Sequence, residues 1–329
     1  MGAEDLVQVL KKIAPFDHPW LDGKTAAMED AALLRPQVGP PLAFTVDFIT
    51  PIIDDPETFG AIAAANSLSD IYAMGGEPQI ALAICGYPED KISLDVLEQI
   101  FRGGRNKAAE AGCAIAGGHT VVDPELKYGL CVVGVVEPQN DLSQTRARPG
   151  DRIVLSKPVG TGIAAQGLKK GKLSESELAD VVETLCTLNR AARDAALAAG
   201  AHAATDVTGF GLLGHLHNLL LAASCSARLG AGAVPTFPFV RKLARAGIVP
   251  GGTRRNLEYV TAHLRWDEGV DEVERLILCD AQTSGGLLIT VPPENEPRLI
   301  EELQRRGTPA CASLGELRVG TAGRIEVTR

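Results

Sequence analysis

Strand-like and helix-like runs alternate along this chain in two series, and a polar stretch, PQNDLSQTRARPGD (Pro138–Asp151), divides them. In the first series PLAFTVDFI alternates, with Phe44, Val46 and Phe48 on one side and Thr45, Asp47 and Ile49 on the other, which predicts a strand. PETFGAIAAANSLSDIYAMGG predicts a helix begun by Pro56 and stopped by Gly75 and Gly76. QIALAICGY, CAIAGG and YGLCVVGVVE read as three more strands, with the helix LDVLEQIFRGGRNKAAEAG between the first two. Before all of these, Leu6, Val9, Leu10 and Ile13 share one face of an amphipathic opening helix. The second series begins with the strand RIVLSKPVGTG and is helix-rich through Leu221. After a Pro/Gly-rich connection around Pro250 it ends in strand, helix and strand: GLLITVP, PRLIEELQRRG and CASLGELRVG. The class is therefore α/β or α+β. A chain of 329 residues is too long for one compact core, and two domains are expected, residues 1–145 and 146–329.

The formal net charge of −9, with no long basic block, argues against a nucleic-acid surface. No apolar run approaches the roughly 18 to 20 residues that span a bilayer, and the first residues lack the pattern of a signal peptide. A cytoplasmic protein is expected. The seven cysteines are scattered with no C-x-x-C pair, so neither structural zinc nor a disulfide framework is indicated, and Cys85, Cys113 and Cys131 read as small core filler.

ATDVTGFGLLGHL contains G-x-G-x-x-G at Gly209, Gly211 and Gly214, the spacing of a dinucleotide-binding turn. Two things oppose that reading. The entering residues HAATDVT are too polar for a central strand, and no acid occurs from Ser224 to Val240 to hold a ribose. No phosphate-loop G-x-x-x-x-G-K-[ST] occurs either. A nucleotide would have to be held through magnesium gripped by scattered acids. Candidates recur in apolar settings: Asp30 opens DAALL, Asp47 sits within a strand, and Asp70 lies one helical turn after Asn66 on the same face. Asp206 would complete the group, with Gly209 and Gly211 letting backbone pass close to a phosphate–metal cluster. N-caps and surface ion pairs are the alternative for each acid taken singly.

Together, DAALL, TVDFITPIIDDPETFGAIAAANSLSDIYAMGGEP, AGGHT, ATDVTGFGLLGHL, PGGTRRN and CDAQTSGGLL resemble the selenophosphate synthetase, or selenide, water dikinase, family. The match runs in order from about Leu6 to Val327. DAALL and GGHT alone would indicate only the wider aminoimidazole-ribotide-synthetase-like superfamily of ATP enzymes.

The resemblance implies synthesis of selenophosphate, orthophosphate and AMP from ATP, selenide and water. It implies a two-domain fold whose N-terminal mixed sheet forms a barrel with that of a second copy, beside a C-terminal α/β sandwich, with ATP between the domains. Asp30, Asp70 and Asp206 resemble the magnesium ligands. Asp47, with Asp70, resembles an ATP contact, as do Gly118, His119 and Thr120 of the GGHT turn, and Asn66 resembles a polar neighbour in the same pocket. A homodimer and a selenium-delivery protein are the implied partners. Glu29 and Ala281 depart from the family pattern without removing a ligand. The family's reactive cysteine or selenocysteine, and the lysine three residues after it, are expected upstream of Met1, before MGAEDLVQVL, and are not in this sequence. No catalytic residue is therefore carried over onto the chain. Either an upstream segment is missing and the present form is impaired, or the chain is a paralogue that binds nucleotide without turnover. Another kinase or ATPase of the superfamily is the further alternative.

Overall fold

The computed structural model describes Trp20, Leu21 and residues 29–329; Met1 and the expected opening helix lie outside the described residues. The first series forms a five-stranded mixed sheet from β1 (Ala32–Leu34), β2 (Leu42–Ile49), β3 (Glu77–Tyr87), β4 (Ala114–Val122) and β5 (Lys127–Val135). Their order is β1-β2-β5-β3-β4. Only the β3–β4 pair in it is parallel, joined through a helix as a parallel pair must be.

Two helices cover one face: α1 (Pro56–Ala73) and α2 (Leu94–Glu110). Asp55 caps α1 by accepting from the Thr58 amide at 2.8 Å, Pro56 supplies the fixed first-turn φ, and Gly75 ends the helix at φ +80°. Gly60 and Gly103 let the two helices touch backbone to backbone, since a Cβ on Gly60 would lie 2.0 Å from the Ile100 carbonyl oxygen. The other face of the sheet is apolar and open, with Phe44, Val46 and Phe48 on β2 and Ile80 and Leu82 on β3 all exposed.

The second series forms a seven-stranded sheet: β6 (Arg152–Leu155), β7 (Ala203–Asp206), β8 (Ser226–Gly230), β9 (Leu264–Trp266), β10 (Leu287–Val291), β11 (Ala312–Arg318) and β12 (Ile325–Thr328). The order is β7-β10-β6-β11-β8-β12-β9. One apolar core joins this sheet to α3 (Thr161–Lys169), α4 (Glu175–Cys186), α6 (Gly211–Ala222), α7 (Val240–Arg245), α8 (Gly251–Thr261) and α9 (Glu272–Leu278). A second packs α5 (Arg190–Ala199) and α10 (Glu296–Arg305) against β7 and β10.

Helix α1 joins the two halves. It is buried around nearly its whole circumference, with Ile62 in one C-terminal core and Ala73 in the other. A helix wedged this way carries its polar residues into the interface, where each must find a partner. Asn189 donates to both Ser69 Oγ and the Gly285 carbonyl at 2.8 Å, and buried Arg193 pairs with Glu77.

Candidate functional site

Four aspartates from separate segments meet where α1, β2 and β7 converge. Asp30 precedes β1, Asp47 is on β2, Asp70 on the last turn of α1, and Asp206 ends β7. Thr45 and Asp47, two apart on β2, face α1 together: Thr45 Oγ1 donates to Asp70 Oδ2, and Asn66 Nδ2 to Asp47 Oδ2. Thr205, beside Asp206, donates to Asp30 Oδ1 at 2.8 Å. Gln144, in the connection between the sheets, reaches Asp30 Oδ2 at 3.4 Å, and its backbone N–H donates to Glu29 at 3.0 Å.

The electrostatics are those of crowded anions. Burial, followed by the charge of Asp206, pushes Asp30 well above the carboxylate range. Burial also raises Asp70, helped by Asp206, Asp47 and Asp30. Burial raises Asp206 to about 7 and Asp47 to about 6. Asp206 is 1% exposed, and its Oδ2 has no hydrogen-bond partner among the described residues. An orphaned buried carboxylate oxygen is expensive, and a cation is the ordinary remedy. The side chains offer hard oxygens, the donor set that magnesium takes.

His215 on α6 adds a nitrogen: Asp30, Asp206 and His215 each present a possible ligand atom within 4.8 Å of the others. Burial lowers His215 to about 4, so the ring is neutral near pH 7. Its Nε2 accepts the Thr208 N–H at 3.1 Å, which fixes the turn leaving Asp206. Lys157, just after β6, is a buried cation that feels this charge; burial lowers it to about 7 while Asp206 pulls it back up.

Asp30, Asp47, Asn66, Asp70 and Asp206 are thus brought together. Gly118, His119 and Thr120 are not. They lie in β4, an exposed edge strand, instead of a turn. Asp47 pairs with Leu130, Leu130 with Ala83, and Ala83 with Gly118. Three strand spacings, about 14 Å, therefore separate Asp47 from Gly118. A Cβ on Gly118 would lie 2.1 Å from the Ala83 carbonyl oxygen, so that glycine serves an irregular strand pairing. The reactive residue and the lysine expected upstream of Met1 fall outside the described residues, which begin at Trp20, and no nucleophile is assigned within the aspartate cluster.

Of the glycines after Asp206, Gly211 and Gly214 serve packing. Gly209 has open space around its Cβ position. Gly211 has φ +71° and sits against Cys279, whose carbonyl oxygen would be 2.7 Å from a Cβ. The strand before them, β7, is an edge strand antiparallel to β10, which is incompatible with a dinucleotide-binding βαβ unit. Asp280 of CDAQTSGGLL and Thr253 of PGGTRRN build a second buried network, while Ser284 of the same CDAQTSGGLL segment reaches Asn66 in the aspartate cluster. Asp280 accepts from Thr253 Oγ1 at 2.7 Å and from the Ile163 N–H at 3.0 Å, and so caps α3.

Thr45, Gln144, Thr205, His215 and Lys157 do not stand out in the sequence. Only His215 carries a signal there, lying in the helix that follows Asp206.

Two sheets of this order, meeting over buried carboxylates, define a class. Residues 28–136 match the AIR synthase related protein N-terminal domain and residues 148–328 the C-terminal domain of the same description. Solved structures with the same fold include a thiamine-monophosphate kinase from Stenotrophomonas maltophilia, 21% identical with a TM-score of 0.68, covering 92% of this chain and 93% of that one. The hydrogenase maturation protein HypE is 23% identical with a TM-score of 0.67, covering 94% and 90%. Within that class the curated relatives are nearer. A selenide, water dikinase from Myxococcus xanthus is 44% identical over 98% of this chain and 92% of its own length. One from Carboxydothermus hydrogenoformans is 41% identical over 100% and 95%. The chain belongs to the selenide, water dikinase family.

Proposed function

We propose that the chain is a phosphotransferase that converts ATP, selenide and water into selenophosphate, orthophosphate and AMP. The observation that carries this reading is the convergence of four carboxylates from separate segments, Asp206 buried and Asp30, Asp47 and Asp70 half-buried, around an orphaned Asp206 oxygen. Asp30, Asp70 and Asp206 would hold magnesium, which supplies charge neutralisation for the phosphates. Asp47 and Asn66 would border the nucleotide. In this reading Asn66 and Thr45 keep Asp47 and Asp70 oriented.

Gly118, His119 and Thr120 would make further nucleotide contacts, which the described residues of one subunit do not assemble by themselves. A homodimer is supported by the open apolar face of β2 and β3, whose burial against a second copy would close the two sheets into a barrel. Selenide, supplied free or by a delivery protein, is the second substrate in this reading.

The test is product analysis with ATP, magnesium and selenide. Selenide-dependent AMP, with a selenophosphate signal in phosphorus NMR, is expected. ADP as the end product, or AMP formation indifferent to selenide, would overturn the proposal.

A further inference from the structure

Lys157 is 1% exposed, and no carboxylate forms an ion pair with it among the described residues. A buried ammonium is costly unless its donors are used. Here they go to two backbone carbonyls from different segments, Thr187 at 2.6 Å and Ser284 at 2.8 Å.

Ser284 is unusual in its own right. It is one of two non-glycine residues with positive φ among the described residues, at +46°. That left-handed conformation persists only where surroundings enforce it. All three polar groups of Ser284 are engaged. Its carbonyl takes Lys157, its Oγ donates to the Leu185 carbonyl at 2.7 Å, and its N–H donates to Asn66 Oδ1 at 2.8 Å. The next residues press against the lysine: a Cβ on Gly286 would lie 2.4 Å from the Lys157 backbone nitrogen and 2.8 Å from its Cβ. Asn66, held from the C-terminal half in this way, spends its own amide N–H on Asp47.

We propose that Lys157 is a positioning residue for the aspartate cage. By holding the Ser284 carbonyl it keeps that turn left-handed and aims the Ser284 N–H at Asn66, which in turn orients the Asp47 carboxylate. The chain of contacts runs from β6 to β2 across both halves, and Lys157 touches no reacting atom. The inference rests on the reading of the cage as the site of ATP and magnesium.

The experiment uses Lys157→Met, which keeps the stem and deletes the donors. Two readouts are taken: hydrogen exchange of the peptide containing Ser284, and magnesium-dependent affinity for the ATP analogue AMPPCP. Exchange at Ser284 is expected to quicken by about tenfold or more, and affinity to fall by about tenfold. Adding Ser284→Gly, which adopts positive φ freely, is expected to recover at least a third of both losses.

A lysine that merely fills space would not be rescued by a glycine at 284, so a loss unrelieved by that second change overturns the inference. So does unchanged exchange at Ser284. Should Lys157→Met fail to fold, Lys157→Gln, which can still donate to one carbonyl, is held to the same two criteria. Failure of the unmodified protein to bind AMPPCP would sink the ATP reading, while the exchange rates alone would still decide whether Lys157 holds the turn.

Discussion

The Asn66 side chain spans the two halves of the protein: its Nδ2 donates to Asp47 on the first sheet and its Oδ1 accepts the Ser284 N–H at 2.8 Å from the second. One amide therefore ties the strand that carries Asp47 to the turn leading into β10, the strand that pairs with Asp206. Asn66→Ala leaves the buried Ser284 N–H without its acceptor and takes a donor from the half-buried Asp47 carboxylate. A loss of about 1 to 3 kcal/mol in stability is expected, together with weaker magnesium–nucleotide binding. Denaturant unfolding and titration calorimetry on the same preparation check it; a variant that loses stability alone would make Asn66 a structural tie only.

Asp206→Asn should separate binding from folding. The carboxylate is buried, repelled by its neighbours and short of a partner on one oxygen, so neutralising it at nearly constant size relieves repulsion in the cation-free protein. The melting temperature without metal is expected to hold or rise, and the stabilisation that magnesium gives the unmodified protein to vanish. Thermal melts with and without magnesium decide it. A large loss of stability in the metal-free variant would contradict the cage.

The same repulsion makes stability depend on pH in an unusual sense. Burial raises Asp30, Asp47, Asp70 and Asp206 above the ordinary range, to about 6 for Asp47 and about 7 for Asp206. In that window the native state keeps protons that the unfolded chain has already lost. Their contribution is full below about pH 4 and disappears as pH rises through 6 and 7. In chelator the melting temperature should fall from about pH 5 to about pH 7.5, and magnesium should restore it at the upper end with release of protons. Melting curves across that range test the sign, and stability rising with pH would refute it.

Much of this architecture is legible in the sequence, and for identifiable reasons. Pro56 and Gly75 bound α1 because each acts locally on the backbone, and the alternation of β2 survives because its two faces meet different surroundings. Helical period alone places Asn66 and Asp70 on one face. Lys157 is not legible: RIVLSKPVGTG reads as one strand, whereas β6 stops at Leu155 and the lysine is buried with its ammonium on the Ser284 carbonyl. The GGHT segment reads as a turn, wrongly, because its glycines answer to the Ala83 backbone of a neighbouring strand, a contact made 35 residues away in the chain. Asp280 is hidden similarly: its partners Ile163 and Thr253 come from distant helices.

Asp280 accordingly offers a control for the cage. It is fully buried like Asp206, yet its oxygens are occupied by the Ile163 N–H, Thr253 and Gln282, and burial raises it only to about 6. Asp280→Ala removes the cap of α3 and strands those donors. A loss of about 2 to 3 kcal/mol is expected, with magnesium still stabilising what remains folded. Urea unfolding with and without magnesium distinguishes the two aspartates; abolished magnesium stabilisation in this variant would mean that the two networks are one.

The open face of the first sheet makes a prediction about assembly. Val46 is 55% exposed, with Phe44 and Phe48 beside it on β2 and Ile80 and Leu82 across the sheet on β3. Five large apolar side chains in one solvent-facing patch cost little to a single chain but favour association strongly, because each loses its contact with water when a second copy covers it. A charge placed there would be desolvated in a dimer and harmless in a monomer. Val46→Asp is therefore expected to leave the melting profile of the isolated fold nearly unchanged and to shift the particle to the mass of one chain, 34.6 kDa. Light scattering after size exclusion gives the mass directly. If the unmodified protein already runs as a single chain, or if Val46→Asp remains paired, the sheet face is not the surface that joins two copies.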